Sequence, residues 1–221
     1  MDWARCAASA LCQSAFLTPQ SSCEAQAVRK IAKMIAAAAL LSSSVAQSAD
    51  ISGVPLVVDG DTIDIGAVKI RLEGIDAPET DQMCLDQEAD TWRCGIAARD
   101  RLAEHIEKRS IDCNPRGTDR YGRTLAVCSV AGEDLNAWLV REGLALAFIR
   151  YSRAYVAEEE QARKAKLGLW SGAFIAPWDW RHRNCKTVIL GATMVPITAQ
   201  AQLCESACAV GAPSPNCTIK G

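Results

Sequence analysis

Short β-strands separated by glycine turns dominate the chain just after position 50. They are predicted at Val54–Val58, Thr62–Ile65 and Val68–Leu72. Gly60 and Gly66 supply the turns between them. In the third strand apolar residues alternate with charged ones, so one face is buried and the other carries side chains such as Arg71. Strands of this length favour a small, strongly curved sheet.

Later elements complete the predicted fold. Two further strands are expected at Ser110–Cys113 and Thr124–Val130, joined by a connector that carries Pro115 and Gly117. Three helices are expected at Gly95–Lys108, Leu135–Glu142 and Tyr155–Leu167, and the segment Trp170–Trp180 is expected to be extended and to pack its tryptophans on the domain. Five short strands with helices inserted late predict an α+β fold built on a small closed antiparallel β-barrel.

Charge is distributed unevenly, although the formal net charge of the 221-residue chain is only −2. From Asp59 to Asp90 there are ten acidic residues against two basic ones, a net charge of −8. From Arg116 to Arg183 there are eleven basic residues against eight acidic ones, a net charge of +3. An acidic pocket beside a basic flank suits a cation next to a polyanion, and two solvated faces would give the same counts.

The N-terminal segment 1–49 has the pattern of a secretory signal. Basic residues precede the apolar run Met34–Leu41, and small residues follow it, including a cleavage-compatible Ser44-Val45-Ala46. The apolar run is too short to span a membrane. We therefore expect export to the periplasm or the medium, with no stable membrane span.

Eight of the eleven cysteines follow this segment, and an exported chain would use them in disulfides. Cys84 and Cys94 bracket a short polar loop, and Cys113 and Cys128 lie on two predicted neighbouring strands, so we predict that the latter two pair. The last four lie in the segment 185–221, which is expected to be a disulfide-tied appendage or a loose tail after a domain at 50–184. A zinc site is disfavoured because no C-x-x-C pair is present.

Three motifs carry the residues suited to chemistry. They are Asp59-Gly60-Asp61-Thr62, the run Arg71 to Thr80, and Asp119-Arg120-Tyr121-Gly122-Arg123. Carboxylates of this kind bind hard cations, and arginines stabilise the charge of a reacting phosphate. An EF-hand is excluded, because counting from Asp59 the sixth position is Asp64 and the twelfth is Ile70.

These motifs, in this order, resemble the staphylococcal nuclease family. The matching segments are VDGDT, IRLEGIDAPET, TDRYGR, LNAWLVREGLALAF and ARKAKLGLW, within Val54 to Trp170. The resemblance implies an OB-type barrel of five strands with three helices. We expect the protein to be a monomer.

The resemblance also implies roles for individual residues. Asp61 and Asp76 match calcium-binding carboxylates, and Ala77 stands where the family binds the ion through a backbone carbonyl. Glu79 matches the glutamate that positions or deprotonates the attacking water, and the catalytic arginines match Arg71 and Arg123.

Substrate contacts are expected from four further residues. Arg120 and Tyr121 match positions beside the nucleotide phosphate. After Gly143 the chain departs from the family's base-stacking tyrosines, and Arg150 and Tyr151 are the candidates there. The implied function is calcium-dependent hydrolysis of single-stranded DNA, RNA and opened duplex DNA, leaving 3′-phosphates. The alternative is an inactive OB-fold module of the cell envelope that only binds nucleic acid or protein.

Overall fold

The computed structural model describes residues 50–191 and 195–209. The predicted signal segment 1–49 lies outside the described residues. Across residues 50–191 and 195–209, no helix is both long enough and apolar enough to cross a membrane.

Strands and helices alternate along the chain. The strands are β1 (Ile51–Gly53), β2 (Leu56–Val57), β3 (Thr62–Ile65), β4 (Val68–Leu72), β5 (Ile75–Asp76), β6 (Cys84–Leu85), β7 (Thr91–Trp92), β8 (Ile111–Thr118), β9 (Thr124–Val130), β10 (Glu133–Asp134), β11 (Leu146–Ala147), β12 (Ala173–Ile175) and β13 (Val188–Leu190). The helices are α1 (Cys94–Ile106), α2 (Leu135–Arg141), α3 (Val156–Ala165), α4 (Pro177–Arg181) and α5 (Ile197–Ala209), with a 3₁₀ turn at Gly168–Ser171.

The main sheet has the strand order β1-β8-β9-β4-β3-β2, and β10 pairs with β9 at one side. All its neighbours are antiparallel except β4 and β9, which are parallel with Ile70 opposite Thr124. This parallel pairing places Arg71, on β4, beside the start of β9, immediately after Arg123. Two candidate catalytic residues therefore belong to one region of the sheet.

The predicted closed barrel of five strands is not confirmed. The described main sheet has seven strands, and its outer strands β1 and β2 pair with β8 and β3 rather than with each other. The predicted strand Val54–Val58 is interrupted at Pro55, which has no backbone N–H to donate to a ladder. The predicted connector at Pro115 and Gly117 is instead part of β8, which continues to Thr118 through a bulge.

One apolar core holds the sheet to α1 and α2. The inward faces of the strands contribute Ile63, Ile70 and Ala126, and the helices contribute Leu102 and Leu139, each with no exposed surface. The predicted helices are present with ends shifted by one or two residues. Alternating apolar residues on strands and a helical stripe on α1 thus meet as the sequence pattern predicts.

A disulfide joins β8 and β9, two antiparallel strands that form a hairpin. Cys113 and Cys128 are register partners on β8 and β9, with their Cα atoms 4.0 Å apart, and they form the predicted disulfide. Cys84 and Cys94 form a second bridge across the loop between them. Both bridges join elements that carry or support candidate site residues.

Residues after Trp170 build a second layer. β12 pairs with β13 and with β6, which follows the Asp76–Gln82 segment. Helix α5 packs its Leu203 on Ile175 and Trp180, and a Cys185–Cys204 disulfide closes this layer. The described part of the predicted tail is therefore packed on the domain.

Candidate active site

The segment Asp76–Gln82 carries three of the predicted site residues and is held from both sides. Gln82 is fully buried, and its Nε2 donates to the carbonyl of Ile175 at 2.7 Å. On the other side, a Cβ added at Gly95 would lie 1.6 Å from the carbonyl oxygen of Glu79. Only glycine allows α1 to approach so closely, and this contact fixes the backbone of Glu79.

One guanidinium bridges Asp61 and Asp76, the first residue of this segment. Arg71 donates from Nη1 to Asp61 Oδ1 and from Nη2 to Asp76 Oδ1, the latter at 2.7 Å. The backbone N–H of Ala77 donates to Asp61 Oδ2 at 2.9 Å. The two aspartates are 2% and 0% exposed, so both carboxylates are held inside the protein. Four predicted site residues are thus brought together.

Burial and neighbouring charges shift the pKa values of Asp61 and Arg71 in this cluster. Burial raises the pKa of the Asp61 carboxyl, Asp59 and Asp76 raise it further, and Arg71 opposes the shift. Burial disfavours the charged form of Arg71, but Asp61 and Asp76 outweigh it and raise the pKa of the guanidinium. Arg71 offsets only part of the effect of burial, so further positive charge nearby would favour the ionised form of Asp61.

Arg123 approaches the same cluster from the turn between β8 and β9. Asp119 shapes that turn, since its Oδ1 accepts from the backbone N–H groups of Tyr121 and Arg123, both at 2.9 Å. Its Oδ2 accepts from Arg123 Nε at 2.8 Å. Arg123 Nη1 reaches Thr62 Oγ1 at 3.4 Å, and that hydroxyl donates to Asp61 at 3.2 Å. A short polar chain thus connects Arg123 to Asp61.

Glu79 is ion-paired with Arg181, a residue that the sequence analysis did not include. Arg181 Nη1 donates to Glu79 Oε1 at 2.7 Å and to Asp76 Oδ1 at 2.9 Å, and its Nη2 donates to Asp76 Oδ2 at 2.8 Å. The only sequence signal was a basic residue directly after the Trp178-Asp179-Trp180 run, where the buried Trp180 fixes the direction of the chain.

The predicted substrate-contacting residues lie on two exposed turns. Tyr121 is 68% exposed, with the guanidinium of Arg120 4.8 Å from its ring centroid and that of Arg123 at 5.6 Å. Tyr151 is 73% exposed, with the guanidinium of Arg150 5.8 Å from its ring. Among the described residues, neither Arg150 nor Tyr151 contacts the carboxylate cluster.

A groove of about 620 Å³ lies between the turn that follows β11 and the region of helix α4. Phe148 and Trp178 lie parallel in it with ring centroids 6.0 Å apart, and Arg150 and Lys186 add positive charge. The N–H of Phe148 donates to the carbonyl of Gly74, close to Asp76 along the chain. Aromatic walls with cationic edges, next to the carboxylates, suit a nucleic-acid strand.

The donor set fits a hard divalent cation. Within the described ranges no three His, Cys, Asp or Glu side chains cluster closely enough to form a complete metal site. Asp61 and Asp76 supply two buried carboxylates, and Ca²⁺ takes its other ligands from carbonyl oxygens and water. Because the burial of Asp61 is only partly offset by Arg71, a cation is also favoured electrostatically.

The fold and site together define a phosphodiester-directed hydrolase, and known proteins refine that class. A family model described as staphylococcal nuclease homologue matches residues 69–172. The chain is 36% identical to a micrococcal nuclease of Shigella flexneri, over 69% of this chain and 92% of that protein. It is 37% identical to an uncharacterized endonuclease of Escherichia coli, over 62% of this chain and 88% of that protein.

A relative with a different printed name is also similar. The succinoglycan biosynthesis protein ExoI of Rhizobium meliloti (strain 1021) is 34% identical, over 62% of this chain and 73% of that protein. The chain belongs to the staphylococcal nuclease family. It is a nuclease with the OB-type fold of that family, and the alternative of an inactive binding module is not supported.

Proposed function

We propose that this nuclease is exported and uses calcium to hydrolyse single-stranded DNA, RNA and opened duplex DNA. Support comes from one observation above all, the bridging of Asp61 and Asp76 by Arg71 in a buried cluster that Glu79 adjoins through Arg181. Such a cluster has no packing advantage over apolar residues of the same size. Chemistry explains why a chain would keep it.

In this proposal the ion is bound by Asp61, Asp76 and the carbonyl of Ala77. When bound, calcium polarises the phosphodiester and neutralises part of its charge. Glu79 is about one-third exposed, so its carboxylate can accept a hydrogen bond from a water molecule and orient it. That orientation directs the water to the side of the phosphate opposite the leaving oxygen.

Arg71 and Arg123 stabilise the charge that develops on the phosphate. A guanidinium donates two parallel hydrogen bonds and keeps its charge at every relevant pH, which suits it to a pentacoordinate phosphate. Arg123 is held by Asp119 at the end of the hairpin, so its approach to the cluster is fixed before substrate binds. The 5′-oxygen is the leaving group, which gives 3′-phosphate products.

The strand is bound by exposed residues around the cluster. Arg120 and Tyr121 contact phosphate on one side, and Arg150 and Tyr151 lie beside the groove on the other. Stacking on aromatic rings needs bases that are not paired, so single strands and opened duplexes are the preferred substrates. Contacts of this kind do not read the sugar, which accounts for the expected lack of DNA or RNA preference.

Export is supported by the cysteines. Three disulfides join described residues, and bonds of this kind persist in oxidising compartments. The predicted signal pattern in 1–49 agrees with this. We propose a periplasmic or extracellular location for the enzyme.

The test is a cleavage assay on single-stranded DNA and on RNA, with calcium and with a chelator. Both substrates should be cleaved only with calcium, with 3′-phosphate ends. Glu79→Gln should lose most activity, on the order of 10²-fold or more, as expected for a lost general base. Glu88→Gln removes an exposed charge on a nearby loop and should leave the rate unchanged. Cleavage that persists in chelator would refute the calcium proposal.

A further inference from the structure

Arg181 makes three of the ionic hydrogen bonds in the cluster, yet no proposed catalytic step uses it. Its guanidinium donates hydrogen bonds to both carboxylate oxygens of Asp76 and to one of Glu79, at 2.7–2.9 Å. Asp76 is fully buried, whereas the side chain of Arg181 is 33% exposed. A buried carboxylate is therefore covered by a cation whose other side faces solvent.

The C-terminal layer holds the start of this side chain in place. Trp180 is fully buried, and its Nε1 donates to Asp81 at 2.8 Å. Arg183 donates to the other oxygen of Asp81 at 2.7 Å. The chain is thus tied on both sides of Arg181 to the segment that carries Glu79, which holds the backbone of Arg181 in place.

Charge balance makes Arg181 and a divalent cation competitors. Three carboxylates, those of Asp61, Asp76 and Glu79, face the two guanidinium groups of Arg71 and Arg181. A calcium ion on Asp76 would add two positive charges where both oxygens already accept from Arg181. Repulsion between the ion and the guanidinium then favours moving Arg181 toward negative charge elsewhere.

We propose that Arg181 is a latch that couples cation binding to phosphate binding. In the ion-free protein its guanidinium neutralises Asp76 and Glu79. Calcium at Asp76 releases it, and the freed guanidinium pairs with a phosphate of the bound nucleic-acid strand. The same exchange frees Glu79 to accept a hydrogen bond from water. This inference rests on the proposed calcium-dependent function and adds a substrate-binding residue from outside the matched family segment.

Coupling of this kind is reciprocal, so it can be measured from both ligands without any turnover. The first measurement is calorimetric titration of the full-length oxidised protein with calcium alone. Arg181→Gln removes the competitor and should tighten calcium binding about tenfold, within the usual range of coupling between sites. Arg101→Gln removes the same charge on the exposed face of α1, where the carboxylate partner is Glu142, and should leave calcium affinity near that of the wild type.

The second measurement adds a nuclease-resistant phosphorothioate oligonucleotide. In the wild type, the oligonucleotide should tighten calcium binding and calcium should tighten oligonucleotide binding by the same factor. In Arg181→Gln most of this factor should disappear, and in chelator its oligonucleotide affinity should match that of the wild type. Thermal melts of both variants check that each is folded.

The outcomes separate this inference from the proposed function. If the wild type binds no calcium, both fail. If the wild type binds calcium and Arg181→Gln binds it equally or more weakly, the latch is refuted while the calcium enzyme stands. Full coupling retained in Arg181→Gln would equally refute the latch, because the phosphate contact must then come from other residues.

Discussion

In the proposed mechanism Arg71 has two tasks, and these tasks conflict. Without substrate it neutralises Asp61 and Asp76 inside the protein. In the proposed reaction it must donate to a phosphate oxygen. Calcium and substrate resolve the conflict together, because the ion takes over the carboxylates while the phosphate takes over the guanidinium. Both arginines of the cluster, Arg71 and Arg181, would follow this exchange.

Arg71→Lys should lower the cleavage rate by about 10²-fold or more, a loss of about 3 kcal/mol of transition-state stabilisation. The reason is that an ammonium group cannot span Asp61 and Asp76 or donate two parallel bonds to phosphate. Single-turnover kinetics on a short oligonucleotide would measure it. Arg101→Lys, on the exposed face of α1, is the matched control and should behave as the wild type. A rate within a few-fold of the wild type would exclude Arg71 from the mechanism.

The sequence motifs predicted most of the charged residues in this cluster but missed Arg181. Asp61, Asp76 and Arg71 lie in short motifs near one another, so a pattern could find them. Arg181 is 105 residues from Asp76 along the chain, and it reaches the site only through the packing of Trp180. Contacts between residues so far apart in the sequence depend on tertiary structure, which short sequence motifs do not predict.

Among the elements, the β8–β9 hairpin holds Arg123 in place and helix α1 holds the backbone of Glu79. The hairpin ends in the turn that Asp119 organises around Arg123. Helix α1 begins against the backbone of Glu79. The stability of each element is therefore also a condition for catalysis.

Replacing Cys113 and Cys128 together by alanine should lower the free energy of unfolding by about 3 kcal/mol, as the chain-entropy model gives for a closed loop of this size. Chemical denaturation of the oxidised wild type and the double variant would measure the difference. Faster proteolysis at the Asp119–Arg123 turn is expected with it. Equal midpoints would show that the strand pairing alone fixes the hairpin.

Gly95→Ala should reduce both stability and activity, although alanine ordinarily stabilises a helix by about 1 kcal/mol relative to glycine. The new Cβ would overlap the Glu79 carbonyl, so either α1 or the catalytic segment must shift. Gly117→Ala is the control, because a Cβ there meets no atom within 4 Å. Melting temperature and cleavage rate together would measure it, and an increase in melting temperature would contradict the close approach.

Element prediction succeeded where one periodicity covered a whole element. The strands Thr62–Ile65, Val68–Leu72 and Thr124–Val130 and the three long helices of the domain were predicted on this basis. It failed at β8, where Pro115 and Gly117 indicated a connector but a bulge lets the strand continue. The segment Trp170–Trp180 was predicted to be extended. This agrees with β12, which pairing with β6 and β13 stabilises, but is wrong at helix α4, which is too short to show a period.

In the whole molecule, the main sheet and the C-terminal layer share the segment that carries Asp76 and Glu79. Gln82 and Asp81 join that segment to Ile175, Trp180 and Arg183. The described C-terminal residues should therefore unfold together with the nuclease domain.

Leu203→Ala should destabilise the whole protein by about 2–5 kcal/mol in one cooperative transition, the usual cost of a cavity at a fully buried leucine. Ile197→Ala, on the same helix but 83% exposed, should have little effect. Calorimetry with fluorescence of the tryptophans would detect both. A separate early transition would instead show that α5 unfolds independently of the nuclease domain.

The parallel pairing of β4 with β9 has a consequence for the synthesis of the enzyme. Arg71 and Arg123 become neighbours only after the chain has passed through α1 and β8, and Arg181 emerges later still. A nascent chain that ends before Arg123 holds the carboxylates and Arg71 but lacks the second arginine. Incomplete copies of this kind lack one of the two proposed catalytic arginines and should not cleave nucleic acid inside the cell that makes them.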